Sequence, residues 1–134
     1  GELTVRIIGP VRKYTQIEIS KTDAFNIGVN PPIRNSGDLD GSYPIILTDG
    51  NKELYKEQGL IIPTRHIHIN KRDLDKYNIK DGDLVKVKVD GEKGGVMHNV
   101  HVKSGENYSF EFHIDTDDAN SHLIKNGDIG EVIR

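Results

Sequence analysis

Short runs of alternating apolar and polar residues recur along this chain, while helical periodicity is confined to brief stretches. Alternation with a period of two marks half-buried strands, so the pattern predicts a mainly β protein. Residues 3–8 alternate and read as a strand closed by Gly9-Pro10. Residues 16–20 read as a second strand, and 21–27 as a short helix stopped by Gly28 and Pro31-Pro32. Residues 34–42 form a polar, glycine-punctuated loop, and strands follow at 43–48, 59–62 and 64–70. In 83–89, Val85, Val87 and Val89 face inward while Lys86 and Lys88 face out. Strands at 96–102, 108–114 and 129–133 complete the pattern. Tyr108, Phe110, Phe112 and Ile114 share the apolar face of one of them, and Glu111 and His113 the polar face. His98 falls on the face of Val96, Val100 and Val102, which makes it a core or edge histidine; His101 and His122 read as surface residues. Many short strands with helices only as caps predict a small β-barrel architecture.

The chemistry concentrates in Thr64-Arg65-His66-Ile67-His68-Ile69-Asn70. In a strand, His66 and His68 point the same way with Cα atoms ~6–7 Å apart, whereas a helix would splay them apart. Imidazole nitrogen suits zinc and other first-row metals, so a strand-borne His-x-His is half of a metal site. The same spacing also suits ordinary polar-face residues of a half-buried strand.

A repeat surrounds it. His68-Ile69-Asn70-Lys71-Arg72-Asp73, with Ile79-Lys80-Asp81-Gly82-Asp83 after it, matches His113-Ile114-Asp115-Thr116-Asp117-Asp118 and Ile124-Lys125-Asn126-Gly127-Asp128 without a gap. Glu18-Ile19-Ser20-Lys21-Thr22-Asp23 is a partial third copy. In each, Ser20, Asn70 or Asp115 is placed to cap a short helix, with Asp23, Asp73 or Asp118 three residues on as in a capping box. Glu18, His68 and His113 thus stand at equivalent strand ends, where three metal-ligating side chains could converge; a duplicated scaffold with polar ends facing water fits the repeat as well.

Composition narrows the classes. The 134 residues suit one domain or two small joined ones. Eighteen basic against twenty-one acidic residues, no polybasic block and 6% aromatics argue against nucleic acid as a partner. No apolar run is long enough to span a bilayer as a helix, and no signal-peptide pattern opens the chain. Without cysteine there is no disulfide or cysteine nucleophile, and any metal must be held by His, Asp and Glu. A cytoplasmic location is the simplest expectation.

Several segments, in order, carry a family resemblance. Gly9-Pro10-Val11-Arg12-Lys13-Tyr14-Thr15-Gln16-Ile17-Glu18-Ile19-Ser20, Thr22-Asp23-Ala24-Phe25, Pro32-Ile33-Arg34, Ser36-Gly37-Asp38, Arg65-His66-Ile67-His68 and Phe112-His113-Ile114-Asp115 with Ala119-Asn120 resemble the PduL-type phosphate acyltransferases. The resemblance spans essentially the whole chain. It implies a tandem double β-barrel with short capping helices, here with a first barrel region over 1–62 and a second over 63–134. It implies transfer of a short acyl group, propanoyl or acetyl, between coenzyme A and inorganic phosphate, using two zinc ions. Glu18, His66, His68 and His113 would be zinc ligands, Arg12 would hold phosphate, and Arg34, Ser36, Gly37 and Asp38 would line the coenzyme A path. It also brings in a bacterial microcompartment shell or a homo-oligomer as candidate partners and surroundings.

One departure is plain. The family carries an earlier arginine-preceded His-x-His, and nothing before Leu3 supplies it, so the chain reads as N-terminally truncated. That leaves open whether it binds the full metal complement or is active by itself. Zinc would polarise the thioester carbonyl and orient phosphate. Glu18 could bridge two ions and take part in catalysis, and the Arg12 fork matches phosphate. Direct attack of phosphate without an acyl-enzyme is the expected route. The competing readings are a zinc-dependent thioester or phosphoester hydrolase, and a non-catalytic barrel module.

Overall fold

A computed structural model describes residues 1–134, which form two compact units, Gly1–Pro63 and Thr64–Arg134. Both are built mainly from strands, 37% of the chain against 14% helix.

In the first unit, β1 (Ile17–Glu18) leads into α1 (Lys21–Ile27), followed by β2 (Ile33–Arg34), β3 (Tyr43–Thr48) and the long β4 (Glu53–Pro63). β4 is the hub: β1 and β2 pair with it in parallel and β3 antiparallel. Leu60, Ile61 and Ile62 are buried in succession, the mark of a strand covered on both faces. Gly59 precedes them at φ +150°, where an added Cβ would sit 3.0 Å from the Thr15 carbonyl oxygen. Only glycine permits that approach. Ser20 caps α1, its side chain accepting from the Asp23 amide at 3.0 Å, and Gly28 closes the helix in the left-handed region. Because Ser20 is buried, Ser20→Ala is expected to cost about 1 kcal/mol, read as a lower urea midpoint for this unit.

The second unit contains β5 (His66–Asn70), β6 (Leu84–Val89), β7 (Gly95–Gly105), β8 (Glu111–His113), α2 (Thr116–Ser121) and β9 (Glu131–Ile133). Its five strands make a curled half-barrel in the order β8-β5-β7-β6-β9. Ile67, Ile69, Val85, Val87, Val100 and Val102 form its core with Met97 and Ile79. The β5–β7 pairing is parallel and the others are antiparallel. No helix of the chain is long and apolar enough to cross a membrane.

The alternation misleads in four places. Residues 3–8 form no strand: no neighbour pairs with them, and Ile7 and Ile8 are 96% and 75% exposed. A lone extended segment leaves its backbone groups to water. On β7, Val100 pairs with Val85 but Met97 with Val87, so one extra residue is inserted. This bulge, with Asn99 at φ +56°, turns Met97 inward and leaves Val96 and His98 exposed. His98 is therefore not a core histidine. β8 begins only at Glu111, so Tyr108 and Phe110 do not continue its face; Phe110 is exposed and packs against Tyr77 with ring centroids 4.5 Å apart and planes tilted by 45°. After Asn70 the chain makes two 3-10 turns (Lys71–Asp73 and Asp75–Tyr77) instead of an α-helix, and Asn70 caps the Arg72 amide, not that of Asp73.

Candidate functional site

His66, His68 and His113 come together because of strand register. β5 alternates, burying Ile67 and Ile69 and turning His66 and His68 to the opposite face. β8 pairs with it so that His66 lies opposite His113 and Ile67 opposite Phe112. Residues facing one another across a ladder share a face, so the third imidazole joins the other two. Their ring centroids are 4.9 Å (His66–His68), 5.0 Å (His66–His113) and 4.4 Å (His68–His113) apart. One ligating atom from each lies within 4.8 Å of the others.

The surroundings fit a metal. The His66 Nδ1 is 3.2 Å from the Thr64 carbonyl oxygen, which can only accept. Nδ1 therefore carries the proton and Nε2 keeps its lone pair, the usual outer support of a ligating histidine. The His113 Nε2 is the one buried side-chain nitrogen or oxygen in the chain without a hydrogen-bond partner. Glu111 Oε2 stands 3.3 Å away but makes no hydrogen bond with it. Leaving such a group unsatisfied costs about 1–3 kcal/mol, a cost that metal ligation would remove. The donors are held ready: burial pushes the His66 imidazole below its usual range, aided by His113, Lys103 and His101 and opposed by the Thr64 bond. Burial likewise lowers His68 to about 4, with His113, His66 and Lys103 adding to the shift and Glu111 opposing it. Neutral imidazoles are the form that binds metal.

Two neighbours were not legible as site residues. Tyr108 stacks on His68 at 4.2 Å with ring planes 10° apart, forming one wall. It passes over Gly105, where an added Cβ would meet the ring at 2.9 Å. His101 lies on β7 in register with His66 and is half-buried, not a surface histidine. His122 is half-buried too, its Nδ1 2.8 Å from the Lys93 carbonyl oxygen.

The remaining predicted residues belong to the first unit. Glu18, exposed at the end of β1, accepts from Gln16 Nε2 at 3.0 Å. That same amide donates to Ser36 Oγ at 3.0 Å, and Gln16 Oε1 accepts from the Gly37 amide at 2.7 Å. Arg12 is exposed and donates to Tyr14 Oη at 3.1 Å; Tyr14 in turn lies against Gly37. Arg12, Tyr14, Gln16 and Glu18, spaced by two, thus run beside the 36–37 loop. Tyr14 and Gln16 escape a search for charged ligands, although their spacing placed them with Arg12 and Glu18. Arg34 holds its own loop, donating to the Asp40 and Ile33 carbonyls at 3.0 and 2.9 Å. Asp38 is exposed, and its amide donates to the Asn35 carbonyl at 3.0 Å.

Comparison with known proteins identifies a family. The family profile described as phosphate propanoyltransferase matches residues 2–125. The chain is 46% identical over 130 residues to a phosphate propanoyltransferase of Thermotoga maritima, covering 96% of this chain and 62% of that protein. It is 45% identical over 129 residues to one of Lachnoclostridium phytofermentans, covering 96% and 61%. A Rhodobacter capsulatus protein of the same name is 46% identical over 122 residues, covering 91% and 57%. The chain spans about three fifths of the length of these relatives. It belongs to the phosphate propanoyltransferase family.

Proposed function

We propose that this chain serves a phosphate acyltransferase, moving a propanoyl or other short acyl group between coenzyme A and inorganic phosphate. The observation that carries the reading is the convergence of His66, His68 and His113 on one face of the second unit, in a chain of that family. The three imidazoles would hold zinc, and Glu18 would serve a further ion. Bound zinc supplies Lewis-acid polarisation of the carbonyl and an anchor for an anionic oxygen. Arg12 offers two parallel N–H donors to phosphate and stays charged at working pH. The loop carrying Arg34, Ser36, Gly37 and Asp38 would border the coenzyme A path, with Gln16 joining it to Glu18.

In the reaction, a phosphate oxygen forms a bond to the thioester carbonyl carbon. The carbon–sulfur bond then breaks, and coenzyme A leaves as a thiolate that takes up the proton the attacking phosphate gives up. The chain contains no cysteine, and the direct route needs no covalent acyl-enzyme. On this reading the enzyme works in the cytoplasm or within a bacterial microcompartment, with a shell protein or a second copy of the chain as its partner.

The test is thiol release from propanoyl-CoA by the zinc-loaded chain, with and without phosphate, and with hydroxylamine trapping of the acyl phosphate. Release that requires phosphate and yields the hydroxamate is the expected result. Arg12→Ala should then raise the KM for phosphate by at least about tenfold, since a charged hydrogen bond is worth about 1.5–3 kcal/mol. Release that ignores phosphate, or is inhibited by it, would indicate hydrolysis instead.

A further inference from the structure

We propose that Arg65 and Asp118 form a positioning clamp that holds His66 and His113 at ligating distance; the proposal rests on reading the triad as a metal centre. The need for a clamp follows from β8. This edge strand has three residues, pairs only with β5, and ends at His113. The last residue of so short an edge strand has little ladder to hold it, and strand ends fray.

Arg65 directly precedes His66, and Asp118 sits in the first turn of α2, which starts just beyond His113. The guanidinium meets the carboxylate as a fork: Nε donates to Oδ2 at 3.0 Å and Nη2 to Oδ1 at 2.9 Å. The third nitrogen, Nη1, donates to the His98 carbonyl on β7 at 2.8 Å. The Arg65 backbone carbonyl accepts from the His101 amide at 2.9 Å. One residue therefore ties the start of β5 both to β7 and to the helix that follows His113.

Asp118 is fixed from its other end as well. Its amide donates to the Asp115 side chain at 2.9 Å, and Asp115 is only two residues beyond His113. The pair's side chains are only 32% and 23% exposed, which sets it apart from surface pairs that water screens. The repeat supplies an internal contrast: Asp73, the counterpart of Asp118, meets only its neighbour Arg72, by a single contact at 4.0 Å. Asp118 is thus a capping position that has taken on a second partner where a ligand must be aimed.

The experiment measures zinc affinity by chelator competition, cobalt(II) absorption of the substituted centre, and thermal midpoint of the metal-free chain. Arg65→Lys keeps the charge but loses the fork; Asp118→Asn keeps the shape but loses the charge. Val132→Ala, in β9, is the control for lost stability, because Val132 packs on the core from the opposite edge strand, which pairs with β6. Each clamp variant should lose about 10–100-fold in zinc affinity and show a weakened tetrahedral cobalt band. The double variant should be no worse than the poorer single one, as for two halves of one interaction. Val132→Ala should lower the midpoint and leave affinity within a few-fold. Clamp variants that bind zinc like the parent, or lose affinity only as Val132→Ala does, would overturn the clamp alone. A parent chain that binds neither metal would overturn the metal-centre reading and the clamp with it.

Discussion

His68→Ala is expected to lower zinc affinity by roughly 100- to 1,000-fold and to remove most of the stabilisation of the second unit by added zinc. Structural zinc sites of four ligands bind with about 10–16 kcal/mol, so each donor accounts for about 2.5–4 kcal/mol. At about 1.4 kcal/mol per decade, losing one donor removes two to three decades. His68 is the informative choice because its ring neighbours both other imidazoles and Tyr108. His101→Ala is the matched control: it removes an imidazole from the same sheet face, outside the ligating cluster, and should leave affinity within a few-fold. The check is chelator competition beside thermal unfolding with and without zinc. Where zinc stands at about a hundred times its Kd, it adds about 2.7 kcal/mol to the parent and should add no more than about 0.4 kcal/mol to the variant. Equal zinc content in parent and His68→Ala would show that the triad is not the site.

The clustering of His66, His68 and His113 was legible in part, for a physical reason. Alternation fixes the face on which His66 and His68 stand, and the repeat fixes where His113 falls relative to the helix it precedes. In the structure Glu18, His68 and His113 each sit two residues before a capping residue, Ser20, Asn70 or Asp115. Pairing register is a tertiary property, and there the sequence was silent: His113 lies opposite His66, not His68. Tyr108 was assigned to the core face because alternation was carried back past the true start of β8. His98 was misplaced by a bulge that inserts one residue and inverts the phase upstream of it. Residues 3–8 alternate as a strand does, yet alternation reports only which sides differ in polarity; a strand also needs a partner, and none pairs with this one.

Acid should act on the metal-free fold and on metal binding in different windows. The His68 imidazole titrates near 4 in the folded chain against an ordinary value of 6.5, chiefly because burial disfavours its charged form; His66 is shifted the same way, also chiefly by burial. Between those values the unfolded chain holds more protons than the folded one, so stability rises with pH across that interval. The stability of the neutral imidazoles is therefore fully present above about pH 6.5 and lost as pH falls through the folded value near 4. Urea midpoints of the metal-free chain at pH 7.5, 6.5 and 5.5 should decline over the last step, and His68→Gln, which cannot titrate there, should decline less. Parallel declines would show that His68 is not depressed. Zinc binding to the folded chain follows the opposite logic, because a depressed imidazole is a poor competitor for protons. Two donors of ordinary pKa would lose roughly a hundredfold in affinity by pH 5.5, about tenfold each for one pH unit below 6.5. With both depressed, the loss assignable to His66 and His68 should stay under about tenfold at that pH, then steepen as pH approaches 4. Chelator competition corrected for the chelator's own protonation reads the difference, and an early hundredfold loss would mean that these imidazoles are not held neutral by the fold.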